Sequence, residues 1–311
     1  MKHLISTAYI GITSPDPERI ARYLKDVVGL MPGQPTAGGA LTFRVDDKAQ
    51  RVFVHQGSKA DASCIGFEAV DGQAYAATVE RLRASGVALT QGSAGEIAER
   101  RVHDMVSMRA PWGVRVELVL GLAPAATPFT SASFPHGIVT QGQGFGHFVF
   151  AVGSDEIYAQ SCRFAIDGLG LRLSDTLRMP MGGWDMRVSF LHCNARHHSL
   201  ALAQVPIPEG AQSLHHINFE VQAVRDVGTA FERALKAGVP ITNTIGQQAN
   251  DRMISFYCAS PDGWQVEIGA TGRQVDDNWN DVREYDRISD WGHQPLQVLA
   301  EMQKASHPST S

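Results

Sequence analysis

The 311-residue sequence has only four cysteines, Cys64, Cys162, Cys193 and Cys258, and no two of them form a CxxC pair. That scarcity argues against a disulfide framework and against a cysteine-built zinc site; the thiols read as reduced residues of a cytoplasmic protein. No run of 18 apolar residues occurs, so no transmembrane helix is expected. The opening MKHLISTAYIGITSPDPERI has no continuous apolar stretch and soon reaches Pro15 and Asp16, so no secretory signal is expected. Basic charge is in short supply too. Lys and Arg number 27 against 32 Asp and Glu, a formal net charge of −5, with no basic block. Duplex nucleic acid is therefore not an expected partner, and neither is a membrane.

What the chain does have is a repeat. CIGFEAVDGQAYAATVERLRASGV (64–87) matches HINFEVQAVRDVGTAFERALKAGV (216–239), pairing Phe67 with Phe219 and Gly86 with Gly238. HDMVSMRAPWGVRVELVLG (103–121) matches NDRMISFYCASPDGWQVEIG (250–269), pairing Gly113 with Gly263 and Glu117 with Glu267. TAYIGITSPDPERIARYLKDVVGL (7–30) matches GHFVFAVGSDEIYAQSCRFAIDGLGL (146–171) more loosely. Units begin near residues 5, 63, 145 and 214, each reading as a strand, a helix with a Gly turn, then further strands. The expected class is α+β: two homologous domains, each of two βαβββ modules. The expected division is 1–125, a linker at 126–140 rich in Pro and small residues, 141–290, and a tail at 291–311 whose end, 301–311, is expected to be disordered.

Strand parity sorts the candidate ligands. In 215–221, Ile217, Phe219 and Val221 form a core face that His215 would share, while His216, Asn218 and Glu220 lie opposite. His216 is therefore the candidate ligand and His215 the structural residue. In GWQVEIG, Trp264, Val266 and Ile268 point one way and Glu267 the other. An acidic side chain among such neighbours is costly unless paired or metal-bound. His147 opens the third module ahead of Phe148, Phe150 and Val152. In the first half His216 falls on Cys64, His147 near Ala8, and Glu267 on Glu117. One half keeps the carboxylate and lacks both histidines, as a degenerate site would beside a working one. Two His and one carboxylate form the facial triad that suits Fe(II), with Zn or Mn also accommodated.

GHFVF, RHHSLAL, HHINFEV, ND…SFY and VEIG…GRQVDD together resemble the type I extradiol ring-cleavage dioxygenases of the vicinal oxygen chelate superfamily, whose fold is an open, glyoxalase-like barrel. Within it, the group that acts on 2,3-dihydroxybiphenyl-like catechols is the most similar. The resemblance runs from about residue 5 to WGHQP at 291–295. It implies Fe(II), with Mn(II) as the lesser choice, held by His147, His216 and Glu267, and an N-terminal domain without metal. It implies His198 as the acid–base residue, a choice between His197 and His198 that parity leaves open. It also implies Tyr257 as a hydrogen-bond donor to the substrate, and Asn250 and Asp251 as a supporting pair.

One position departs from the family. IGQQAND carries Gln248 where relatives usually have a histidine, and an amide cannot titrate near neutral pH. The expected function is Fe(II)-dependent extradiol cleavage, with O2, of a 3-substituted catechol such as 2,3-dihydroxybiphenyl or a related bicyclic diol, in aromatic-compound catabolism. The Met, Trp and Leu of RLSDTLRMPMGGWDMRVSF (172–190) are expected to help line an apolar pocket. The alternatives are a carboxylated catechol such as 2,3-dihydroxy-p-cumate, a metal-dependent isomerase or lyase, and a non-catalytic binder of flat aromatic ligands. The family implies a homo-oligomer.

Overall fold

The computed structural model describes residues 5–208 and 210–299; the expectation for 301–311 lies outside them. The strands form two sheets. The first runs, across its width, Met31–Pro32, Leu41–Arg44, Val52–Gln56, Ile5–Ser14, Asp61–Ala69, Arg115–Leu120, Asp104–Arg109, Thr90–Gln91. The second runs Glu284–Tyr285, Arg172–Met181, Trp184–His192, Leu200–Gln204, Phe148–Val152, Leu214–Val221, Gln265–Ala270, Ile254–Ala259, Ile241–Gln248, Ser289–Trp291. Apart from the short edge strands, both follow one plan. The first strand of each module pairs in parallel with its last and antiparallel with the first strand of the neighbouring module. Each sheet curls into a half-barrel, in a mixed α+β fold.

Helices start where the sequence supplies caps. Asp16, Asp71 and Ser154 accept hydrogen bonds from the backbone N–H groups of Arg19, Ala74 and Ile157, satisfying donors that a helix leaves open at its N-terminus. The helices Pro17–Arg22 and Asp155–Arg163 each widen into a π-helical turn, Tyr23–Val28 and Phe164–Gly168. The second module has an extra helix, Ala94–Arg100, entered through a capping box between Ser93 and Glu96.

The apolar faces of both sheets and of the helices merge into one hydrophobic cluster that includes Ile10, Phe67, Phe148, Phe219 and Trp264. Ring contacts join the halves: Phe67 to Phe148 at 6.2 Å and Tyr23 to Trp264 at 6.1 Å, both edge-on. Polar ties surround them. Arg233 donates to the carbonyls of Val27 and Val28 at 2.7 and 2.9 Å. The Asp61 carboxylate accepts from the backbone N–H groups of Ser213 and Leu214. The connection between the sheets is packed, with Phe134 and Phe145 fully buried.

Candidate metal centre

The second half-barrel brings three predicted residues to one point. His147 lies just before Phe148–Val152, His216 in Leu214–Val221, and Glu267 in Gln265–Ala270. Asn218 pairs across the ladder with Glu267, and its N–H donates to the His147 carbonyl at 3.0 Å. That close approach depends on Gly146: a Cβ there would stand 1.9 Å from the Asn218 carbonyl oxygen. His147 Nε2 lies 3.1 Å from Glu267 Oε2, His216 Nε2 lies 3.5 Å from the same oxygen, and the two Nε2 atoms are 3.4 Å apart. All three side chains are buried.

A ring nitrogen carries at most one proton, so these three contacts cannot all be linear hydrogen bonds. A single cation satisfies all three, since donors about 2.1 Å from a common ion and at right angles lie about 3 Å apart. The charges fit as well. Burial lowers the His147 pKa to about 4, so the ring is neutral at pH 7. Burial alone would raise the Glu267 pKa, but hydrogen bonds from His147 and His216 hold it well below the usual carboxylate range. Two imidazole nitrogens and one carboxylate are a donor set for a divalent ion.

Around them, Tyr257 donates its hydroxyl proton to Glu267 Oε1 at 2.7 Å, and Asn218 donates to Oε2 at 3.0 Å. Gln248 Nε2 donates to the Tyr257 oxygen at 2.5 Å. Burial, with the charge of Glu267, keeps the tyrosine pKa well above its ordinary value, so the phenol stays protonated. His198 lies against His147 with ring centroids 3.9 Å apart and the ring planes tilted by 37°. Burial and the neighbouring His147 hold the His198 pKa well below normal. Asp251 Oδ2 is 3.8 Å from His198 Nδ1, and burial raises the Asp251 pKa to about 6. Asn250 is also buried, with its amide nitrogen unpartnered.

All eight predicted site residues line one cavity of about 280 Å³. The rest of its lining is largely apolar and includes Val149, Leu177, Met186, Val188, Phe190 and Ile288. Four of these come from 172–190, the segment expected to line the pocket. Among the described residues lining the cavity there is no lysine or arginine.

One expectation is corrected. His215 does not share the core face with Ile217 and Phe219. The ladder slips between Leu214 and His216, a bulge that gives the core position to Leu214 and turns His215 outward, exposed, onto the cavity wall. Its Nδ1 lies 2.7 Å from His216 Nδ1, so it backs the ligand ring. By contrast, His147 Nδ1 is buried without a partner. His197, the residue that parity could not separate from His198, points away from the cavity and meets Asp175. Sequence reasoning missed Asn218 as a partner of Glu267, although the parity argument had already put it on the face of His216. It also missed Ile288, Ser289 and His293, which reach the cavity from the C-terminal segment.

The first half-barrel has side chains of a different kind at the matching positions. Cys64 and Glu117 occupy the ladder positions of His216 and Glu267. By register the counterpart of His147 is Tyr9, one residue beyond Ala8: Ile10 pairs with Val52 as Phe148 pairs with Leu200. Tyr9 donates to Glu117 Oε2 at 2.7 Å. Arg100, at the end of the extra helix, donates to both Glu117 oxygens at 2.7 and 3.0 Å, and Arg115 lies 2.8 Å from Oε1. The guanidinium of Arg100 also sits 4.5 Å over the Phe53 ring. Gly66 makes room for the Tyr9 ring, which a Cβ would meet at 2.5 Å.

Comparison with known proteins agrees. Residues 144–268 match the Glyoxalase/Bleomycin resistance protein/Dioxygenase superfamily, and residues 8–57 match the Dihydroxybiphenyl dioxygenase BphC D1 family. The chain is 37% identical over 297 residues to biphenyl-2,3-diol 1,2-dioxygenase of Metapseudomonas furukawaii, covering 95% of each protein. It is 35% identical to an iron-dependent extradiol dioxygenase of Rhodococcus jostii, covering 93% of this chain and 96% of that protein. The crystal structure of a halotolerant catechol dioxygenase superposes with a TM-score of 0.84 at 33% identity, covering 95% of this chain and 96% of the other. Shared sequence along nearly the whole chain, and the same fold, place this protein among the extradiol dioxygenases of the glyoxalase/dioxygenase superfamily.

Proposed function

We propose that this protein cleaves the ring of a 3-substituted catechol on the extradiol side, using O2 and an Fe(II) held by His147, His216 and Glu267. The observation that carries this reading is the triangle of 3.1, 3.4 and 3.5 Å formed by their ligand atoms, which lines a cavity otherwise largely apolar. Iron held by these three residues would supply the Lewis-acid and O2 chemistry, making a diol hydroxyl easier to ionise.

The protein's own side chains do the rest. His198, neutral and lying beside His147, receives a proton from the diol and returns it as the ring opens. Tyr257, a phenol that does not ionise, steadies negative charge on a substrate oxygen. Gln248 fixes the tyrosine from behind, and Asn250 and Asp251 close that side of the cavity. The apolar wall takes the 3-substituent and keeps water from the reacting atoms.

At about 280 Å³ the cavity is near the lower end of small-molecule sites, roughly 300–1,000 Å³. It suits one or two rings, such as 2,3-dihydroxybiphenyl. A carboxylated catechol is the weaker reading, because no lysine or arginine lines the cavity to pair with the acid. We further infer a division into 1–125 without metal, a connection at 126–140, a catalytic part at 141–290 and a tail at 291–311. A homo-oligomer working in the cytoplasm in aromatic-compound catabolism completes the reading. The four free cysteines support a reducing compartment, and among the described residues no helix is long and apolar enough to cross a membrane.

The test is to load the protein anaerobically with Fe(II), add 2,3-dihydroxybiphenyl, admit O2, and follow oxygen uptake with the visible spectrum. A yellow product with matching uptake supports the proposal. Absence of uptake with iron bound, repeated across smaller and carboxylated catechols, overturns it in favour of an isomerase or a binding protein.

A further inference from the structure

We propose that Asp175 and His197 form a buried relay behind His198, which fixes the tautomer of that ring so that its Nε2 is free to accept a proton. The inference rests on the reading of His198 as the acid–base residue.

The relay runs through three buried side chains. Asp175 Oδ2 lies 2.7 Å from His197 Nε2, and His197 Nδ1 lies 3.3 Å from His198 Nδ1. Asp175 is itself held in place: its other oxygen accepts the backbone N–H of Arg283 at 2.9 Å. His197 is held as well. Ser174 Oγ donates to its carbonyl, and the Trp279 ring meets the imidazole edge-on at 6.2 Å. The segment that includes Trp279 and Arg283 thus clamps the far end of the relay.

The proton count follows from the carboxylate. Asp175 only accepts, so His197 donates from Nε2. A neutral His197 then has a lone pair on Nδ1, and the short contact to His198 requires a proton on His198 Nδ1. The carboxyl group of Asp251, 3.8 Å from that nitrogen and too far to accept a hydrogen bond, favours a proton on the same side of the ring electrostatically. With Nδ1 protonated, the lone pair of His198 is on Nε2. This is the same logic by which a buried acid orients a catalytic histidine in hydrolases, here with one more ring in the chain. Asp175 and His197 are positioning residues, since neither lines the cavity.

Two measurements test it. First, 15N magic-angle-spinning spectra of histidine-labelled, Zn(II)-loaded full-length protein report the protonated nitrogen of each ring, with His198→Gln identifying the His198 signals. A proton on His198 Nδ1 and one on His197 Nε2 are expected. A proton on His198 Nε2, or a doubly protonated His197, overturns the proposal. Second, Asp175→Asn places an amide donor against His197 and inverts the chain. The expected result is a move of the His198 proton to Nε2, with kcat for the diol lowered about 100-fold or more and KM and iron content unchanged. An unchanged kcat, or a loss that follows iron content or KM, overturns it. Should Asp175→Asn fail to fold, the wild-type spectra still decide. The spectra need no turnover, so failure of the dioxygenase reading is seen separately, as absent oxygen uptake.

Discussion

In the first half-barrel the buried Glu117 faces Arg100, Arg115 and Tyr9; in the second the buried Glu267 faces His147, His216 and Tyr257. The ladders around the two glutamates are the same; the difference lies in the side chains they carry and in the extra helix Ala94–Arg100, which brings Arg100 to Glu117. A buried carboxylate left alone costs several kcal/mol. The first half offsets that cost with a cation joined covalently to its own chain. The second offers two imidazoles instead, and on the proposed reading the positive charge there is a bound metal ion. On the proposed reading, the two halves differ functionally in where the neutralising charge is stored.

The comparison can be broken most directly at the matched pair Cys64 and His216. His216→Ala should remove iron and lower ring cleavage by roughly 1,000-fold or more, whereas Cys64→Ala should leave the iron content and turnover of the folded protein unchanged. Metal analysis alongside oxygen uptake checks both. Arg100→Ala should reverse the asymmetry: a loss of about 3 kcal/mol in denaturant melts, because Glu117 loses its principal partner, with iron per folded chain unaltered. His215→Ala should weaken metal binding about 10-fold in titrations of the metal-free protein with Co(II), and His215→Gln, which retains a hydrogen-bond acceptor, should recover part of it. The gentlest test is pH. His147 has a folded-state pKa of about 4, below the ordinary 6.5, so its contribution to stability is full above pH 6.5 and is lost as pH falls toward 4. Asp251, raised to about 6, acts in the opposite sense: its contribution is full below about pH 3.8 and lost as pH rises through 6. Tyr9, in the place of His147, has its pKa raised well above 10 by burial and by Glu117. Acid loosening of the metal-free protein should therefore map to strands of the second sheet, as read by hydrogen exchange corrected for intrinsic rates. Equal loosening in both sheets would count against the comparison.

Much of this was legible in the sequence because the repeat supplied an internal control. Glu267 stood out once Glu117 lay under it, and the alternation in HHINFEV and GWQVEIG separated core residues from cavity residues. The period-two rule failed at His215, because one bulged residue inverts parity on its N-terminal side and no local motif announces the slip. Arg100 was missed for a different reason: SAGE at 93–96 signals a helix start, but nothing local says that the helix will end over a glutamate 17 positions later. Ile288 and His293 reach the cavity from a segment without periodicity, so only tertiary structure could bring them in. Gln248 was visible as a departure, yet its attachment to Tyr257 was not, because sequence reports residue type and not the partner an amide chooses.

The tethered cation of the first half has a further consequence for how the chain matures. That half is the first to leave the ribosome and carries its own counter-charge, so its glutamate never waits for iron. If iron is held in the second cup as proposed, a cell short of iron would accumulate protein whose first cup is complete and whose second is built but idle. A pulse of iron would then restore the missing component without new synthesis, and a chelator could strip the second cup without disturbing its neighbour.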